Sequence, residues 1–159
     1  MNVFLNKSVS VIKMGNKIMI DPREICGPIA IIYRSHLGYM MTKLEDYRIG
    51  SREFDFLMTL YHTDGISQEG LAKALYVSKA TSTRAIQSLE KEGYVYRQRD
   101  ENDLRAYRVY LTEKGKETRD MILEKLISFV DTLLLDFTSE EKEIFRRLIR
   151  KASRKFHEL

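Results

Sequence analysis

Ser67-Gln68-Glu69-Gly70-Leu71-Ala72-Lys73-Ala74-Leu75-Tyr76-Val77-Ser78-Lys79-Ala80-Thr81-Ser82-Thr83-Arg84-Ala85-Ile86-Gln87-Ser88-Leu89 is the stretch whose reading decides the fold. Ser67 and Ser78 each stand where a hydroxyl can accept from the unpaired N–H groups of a helix's first turn, so each marks a helix start. Leu71, Ala72 and Leu75 share one face of the first, short helix; Ile86 and Leu89 share one face of the second, which Gly93 ends. Two helices separated by Tyr76-Val77-Ser78 form a helix-turn-helix. From Lys73 through Leu89 the charged residues are Lys73, Lys79 and Arg84, with no Asp or Glu, which makes a basic face within a chain of mixed charge.

The second helix, Ser78 to Glu92, spans about 22 Å at the usual rise of ~1.5 Å per residue, enough to cross a DNA major groove. Its outward side carries Lys79, Thr81, Thr83, Arg84, Gln87 and Ser88. These are short hydroxyls and long donors without a carboxylate, as contact with phosphates and base edges requires. Arg84 and Gln87 have the donor geometry for guanine and adenine edges, while Lys79 and Thr83, nearer the helix start, suit phosphates. Taken singly, each basic residue reads more readily as a solvated surface charge, and a helix-turn-helix can also serve as a protein-interaction module. The combination favours DNA.

Beyond Gly93 the period changes to two. Tyr94 to Arg99 and Ala106 to Leu111 read as strands around the polar loop Asp100 to Arg105, giving a hairpin beside the helix-turn-helix. Val95, Arg97 and Arg99 alternate onto one face. Asp103 and Arg105 sit two apart, a spacing at which a carboxylate can orient a guanidinium toward a narrow minor groove. Thr112 caps a long helix to about Leu135, and Thr138-Ser139-Glu140-Glu141 is a capping box for a last helix to about Phe156. Their apolar faces, Met121 to Leu134 and Ile144 to Phe156, exceed what a small winged helix can cover.

Upstream, Ser51 caps a helix bearing Phe54, Leu57, Met58 and Tyr61, which Asp64-Gly65 ends. Asp21-Pro22-Arg23-Glu24 starts a helix that runs to about Tyr47, with Gly27-Pro28 kinking it or delaying its start to Pro28. Ile25, Ile29, Ile32, His36 and Met40 form one stripe on it; Ala30, Tyr33, Leu37, Met41 and Leu44 form another. A helix apolar on two sides needs two covers, the second being a partner subunit. Val9 to Lys13 and Lys17 to Ile20 are β-prone runs around Met14-Gly15-Asn16, a hairpin or an extended arm. The expected class is therefore mainly α with a small β-hairpin wing, a winged helix-turn-helix with N- and C-terminal helices forming a dimerisation region. Its divisions are an N-terminal extension at 1–20, a dimerisation helix at 21–47, a DNA-binding lobe at 48–112 and dimerisation helices at 113–159.

Composition is compatible with this. The chain has 159 residues, 43% hydrophobic, with a net charge of +4 that permits nucleic acid without demanding it. One cysteine, Cys26, excludes an intrachain disulfide and a Cys-based zinc cluster and fits a reducing compartment. Lys7, Lys13 and Lys17 break up the first twenty residues, which do not read as a signal peptide, and no run is long enough to span a bilayer. The expectation is a soluble, cytoplasmic protein. His36, His62 and His157 lie on different elements and no metal or phosphate-loop motif is present, so neither an enzyme nor a cofactor is expected.

In Ser67 to Ala72, Val77 to Arg84, including Ala80, Leu89 to Val95, Asp103-Leu104-Arg105 and Leu111 to Gly115, the chain resembles the MarR family of bacterial and archaeal regulators. The resemblance covers about residue 22 to the end. It implies a ligand-responsive repressor, a homodimer built from the first and last two helices, that binds a near-palindromic operator on double-stranded DNA. Arg105 would enter the minor groove with Asp103 orienting it. Three positions depart from the pattern: Leu104 stands where the family often has arginine, Ser82 where an apolar residue is common, and Gly70 where glutamate is usual. Gly70 should cost its helix about 1 kcal/mol relative to Ala. Family members commonly answer small phenolic or anionic effectors, which by analogy places Tyr33, Arg34 and His36 near a ligand site. One branch senses peroxide through a cysteine near the start of the first helix, where Cys26 stands; the competing reading of Cys26 is a small buried apolar residue.

Overall fold

The computed structural model describes residues 12–14, 17–101 and 103–157, which form two compact units dividing after Glu117. β1 (Ile12–Met14) pairs antiparallel with β2 (Lys17–Met19), with Ile12 opposite Met19. The hairpin reading is met there; Val9 to Val11 and the turn residues Gly15 and Asn16 lie outside the described residues.

α1 runs Pro22–Leu44 without a delayed start. The Asp21 carboxylate accepts from the Arg23 backbone N–H at 2.9 Å and from its guanidinium, and Pro22 supplies a preset φ for the first turn. With the first turn held in this way, Pro28 lies inside the helix at the loss of one i to i−4 bond. A single 3-10 turn, Glu45–Tyr47, follows. α2 (Ser51–His62) is capped by Gly50 and not by Ser51: the extended backbone of Gly50 places its carbonyl 2.9 Å from the Phe54 N–H, so the helix begins one residue earlier than expected.

α3 (Gln68–Ala74) and α4 (Lys79–Lys91) carry the expected caps, with Ser67 Oγ accepting from the Gly70 N–H at 3.0 Å and Ser78 Oγ from the Thr81 N–H at 3.1 Å. β3 (Val95–Arg99) and β4 (Tyr107–Leu111) form the second hairpin, with Val95 opposite Leu111 and Arg99 opposite Tyr107. Ser67 bridges to Arg108, so the entrance to α3 is stitched to β4. The core of this unit joins Met40 and Leu44 of α1, Phe54, Phe56, Leu57 and Leu60 of α2, Leu71 of α3, Ala85, Ile86 and Leu89 of α4, and Tyr94, Val95, Val109 and Leu111. Only the C-terminal half of α1 is buried; Ile25, Ile29 and Tyr33 are exposed.

α5 (Glu113–Leu133) begins in the first unit and continues into the second. Thr112 Oγ1 accepts from the Gly115 N–H at 3.0 Å at its start, and the Gly115 Cα lies against the Tyr94 carbonyl, leaving no room for a Cβ. α6 (Ser139–His157) opens on the expected capping box: the Thr138 N–H donates to Glu141 Oε2 at 2.8 Å and the Glu141 N–H to Thr138 Oγ1 at 3.3 Å. Leu123, Ile127, Val130, Ile144, Leu148 and Ile149 are exposed along these two helices. No helix of the described residues is long and apolar enough to cross a membrane.

Candidate nucleic-acid interface

α4 is seated by bonds at both ends and along its inner side. Ser82, Ala85, Ile86 and Leu89 are buried beneath it. The Ser82 hydroxyl, where an apolar residue is common in the family, donates to the Gln68 carbonyl of α3 at 3.3 Å. The Gln68 amide in turn donates to Thr83 Oγ1 at 2.8 Å, and that hydroxyl donates to the Lys79 carbonyl at 2.9 Å. At the far end Gly93 takes φ 77° while its N–H reaches the Glu90 carbonyl and the Tyr94 N–H reaches that of Leu89. This is a Schellman closure, and glycine supplies its left-handed residue without steric cost.

Tyr94 fixes that end to the rest of the unit. Its ring is buried and its hydroxyl donates to the Tyr47 carbonyl at 2.9 Å, while Lys114 Nζ stands 4.2 Å over the ring and donates to the Glu92 carbonyl. Burial holds the Tyr94 hydroxyl above its ordinary pKa, with Glu92 adding to the shift, so it remains a donor. Arg48 pairs with Glu92 at 3.7 Å.

The outer face of α4 presents Lys79, Ala80, Arg84 and Gln87 to solvent. Thr81 and Ser88 are half-buried, and Thr81 shares its hydroxyl with Ser78 at 2.9 Å. Thr83 is committed to Gln68 and Lys79, which makes it a residue that orients the helix and leaves Lys79, Arg84 and Gln87 as the extended donors. Before the last turn of α4 there is no acid at all; Glu90 faces the hairpin, accepting from the Arg97 N–H at 3.1 Å and pairing with its guanidinium at 2.8 Å. The exposed face therefore carries no carboxylate from α4 itself, while Glu69 of α3 acts on Lys79 at its start.

The hairpin distributes its arginines differently from the alternation pattern. Arg97 is half-buried between Glu90 and the Tyr107 ring, whereas Arg99 is exposed. Arg108 pairs with buried Asp100 and donates to the Gly65 carbonyl at 3.0 Å, bracing the base of the loop. At the tip Asp103, Leu104 and Arg105 are exposed. The Asp103 carboxylate accepts from the backbone N–H of Arg105 at 3.0 Å, so it shapes the turn, and the Arg105 side chain is exposed. Asn102, beside it, lies outside the described residues.

Tyr33 and Arg34 are exposed on α1, and His36 is half-buried with its ring edge-on to Phe54 at 5.8 Å. Burial lowers the His36 pKa, opposed by Asp55, and burial raises that of Asp55. Cys26 is exposed in the single chain. Among the described residues no cluster of His, Cys, Asp or Glu could hold a metal ion.

Three contributors escaped the sequence reading: Gln68, Glu90 and Tyr94. Gln68 sits directly after a recognised cap, and Glu90 lies seven residues before Arg97, but both act across element boundaries that periodicity does not register.

The sequence pattern of the MarR family matches residues 49–107, which include α2 through the start of β4. The HTH-type transcriptional regulator YybA of Bacillus subtilis (strain 168), itself uncharacterised, is 29% identical over 128 residues, covering 80% of this chain and 85% of its own. A MarR transcriptional regulator from Methanosarcina mazei Go1 superimposes with a TM-score of 0.79 at 40% identity, covering 86% of this chain and 99% of that one. A putative MarR family regulator from Listeria monocytogenes, solved in complex with a 26-mer DNA, shares the fold with a TM-score of 0.75 at 24% identity, covering 86% of this chain and 89% of its own.

Proposed function

This chain belongs to the MarR family of transcription regulators, not to an enzyme family, and on that premise we propose that it is a sequence-specific DNA-binding repressor acting as a homodimer in the cytoplasm. The observation that carries the reading is the outer face of α4: Lys79, Arg84 and Gln87 are exposed on a helix whose opposite face is buried in the core. Arg84 and Gln87 read base edges, Lys79 holds phosphate, and exposed Arg99 and Arg105 of the hairpin reach the flanking groove. Two recognition helices, one per copy, engage half-sites about one helical turn apart. The second copy covers the exposed apolar residues of α1 in one unit and of α5 and α6 in the other.

The test is selection of bound duplexes from a random pool, followed by titration of the selected operator. Arg84→Ala is expected to relax base preference by about 1–3 kcal/mol at one position of each half-site, while Lys79→Ala weakens operator and random duplex alike. Wild-type protein that selects no sequence, or two variants indistinguishable from it, would remove the recognition-helix assignment.

His36, half-buried beside Phe54, with Tyr33 and Arg34 on the same helix, supports an effector site for a small phenolic or anionic compound. Salicylate is a suitable probe: it is expected to shift the His36 ring resonances and weaken operator binding. An unmoved His36 spectrum at millimolar salicylate argues against the site.

A further inference from the structure

The strongest concentration of charge lies away from α4. α6 carries seven Lys and Arg against three Glu, a surplus equal to the net +4 of the whole chain. All three carboxylates fall within its first five residues; from Ile144 to His157 there are six cations and no acid. At about 100° per residue Arg146, Arg147, Arg150, Lys151 and Arg154 fall on one arc, and Phe145, Leu148, Ile149 and Ala152 on the opposite one. The five cations are exposed and line a single shallow hollow with Glu143. Among the described residues only Arg146 of the five has an ion-pair partner, Glu143 at 2.6 Å. The Glu143 carboxyl is held below its ordinary range by its bond to Arg146, with Arg147 and Arg150 adding to the shift, as a surplus of positive potential along this face would do.

We propose that the basic face of α6 is a second nucleic-acid surface, one that holds the phosphodiester backbone of duplex DNA without reading its sequence. The chemistry favours phosphate over an acidic protein. Guanidinium forks match phosphate oxygens in pairs, and beyond Glu143 at its N-terminal edge the arc holds no acid, amide or apolar group with which a specific protein partner would be distinguished. Its one hydroxyl, Ser153, is spent on the Arg150 carbonyl at 3.1 Å. What remains is a uniform row about 12 Å long from Arg146 to Arg154, suited to a partner that repeats one charge every ~1.7 Å of its axis. Insertion into an anionic membrane would require the apolar arc, which the dimer reading uses to meet the second copy. The proposal does not depend on α4, because a backbone contact needs no operator.

The experiment measures binding of the full chain to a random-sequence duplex across about 50–200 mM salt. Compared are the wild type, a triple variant Arg147→Gln, Arg150→Gln, Arg154→Gln, its Arg→Lys counterpart, and Arg84→Ala. The Gln triple is expected to lose at least about ten-fold in affinity at the lowest salt, and the slope of log K against log salt to shrink by about 2–3, at ~0.9 per phosphate contact. The Lys triple keeps the charge and should retain the slope. Arg84→Ala should weaken operator preference while its slope changes by about 1 at most. A Gln triple with the wild-type slope overturns the proposal, as does competition by phosphatidylserine vesicles or polyglutamate equal to that of duplex at matched charge. Should the triple alter solution mass or helicity, the single variants R150Q and R154Q decide: each should lose about one unit of slope, and unchanged singles are equally fatal. Wild type without operator preference would count against α4 and leave the α6 result intact.

Discussion

Tyr76 stands at φ 52° in the turn between α3 and α4, its N–H bonded to the Lys73 carbonyl and that of Val77 to Ala72. This is the same Schellman closure that Gly93 makes for α4, with a bulky residue in the left-handed position and 73% of its surface exposed. The left-handed conformation costs a non-glycine residue about 1–2 kcal/mol, so Tyr76→Gly is expected to raise unfolding stability by about 1 kcal/mol in urea titrations. A loss of stability would mean that the tyrosine ring contributes more than its backbone costs. Gly70 presents the opposite case. A Cβ there would come within 2.9 Å of Ile66 Cγ1, so the gain in helix propensity is offset by crowding and the missing family glutamate has a local reason. His36 and Asp55 shift in opposite senses. A histidine whose folded pKa lies below its ordinary 6.5 contributes stability that is present above 6.5 and lost as pH falls from there toward the folded value. The raised Asp55 acts the other way, in a lower window that opens above 3.8, where the folded state takes up its proton first. Wild type should therefore lose stability as pH falls below about 6.5, and His36→Gln should flatten that decline in thermal melts. An unchanged profile would place the titration elsewhere.

At the scale of elements, the aim of α4 depends on its neighbours more than on itself. Gln68 of α3 donates to Thr83 with its amide and accepts from buried Ser82 with its carbonyl, so one residue sets both the roll and the depth of the recognition helix. Gln68→Ala is expected to cost about 0.5–1.5 kcal/mol of stability and to weaken operator binding several-fold, with little change for random duplex. Equal losses on both duplexes would reduce Gln68 to a structural tie. The hairpin follows the same logic. Arg97, which alternation puts with Arg99, is drawn back by Glu90 and Tyr107, and Asp103 secures the turn through a backbone N–H. Among the described residues, the exposed arginines of the hairpin without an ion-pair partner are thus Arg99 and Arg105.

For the molecule as a whole, the open question is what covers its apolar residues. Ile29 is 60% exposed on α1 and Leu148 54% on α6, well inside sequence and not at frayed ends. A homodimer covering them should turn monomeric at micromolar concentration in Leu148→Glu or Ile29→Glu, read by sedimentation, with operator affinity falling as half-site pairing is lost. A wild type already monomeric at that concentration would rule the assembly out. The sequence by itself determined the helices, their caps at Asp21, Ser67, Ser78, Thr112 and Thr138, the hairpin and the basic outer face of α4, because each follows from bonds or periodicities within a few residues. The start of α1 at Asp21-Pro22 holds, and the alternative of a delay to Pro28 does not; the cap of α2 was misread, because Ser51 carries a strong local signal that the backbone of Gly50 overrules. Which of the candidate contacts are already engaged became visible with packing. Thr83 and Arg97 are engaged by Gln68 and Glu90, and Tyr94 is tied to Tyr47, through hydrogen bonds whose partners come together only once separate elements have packed.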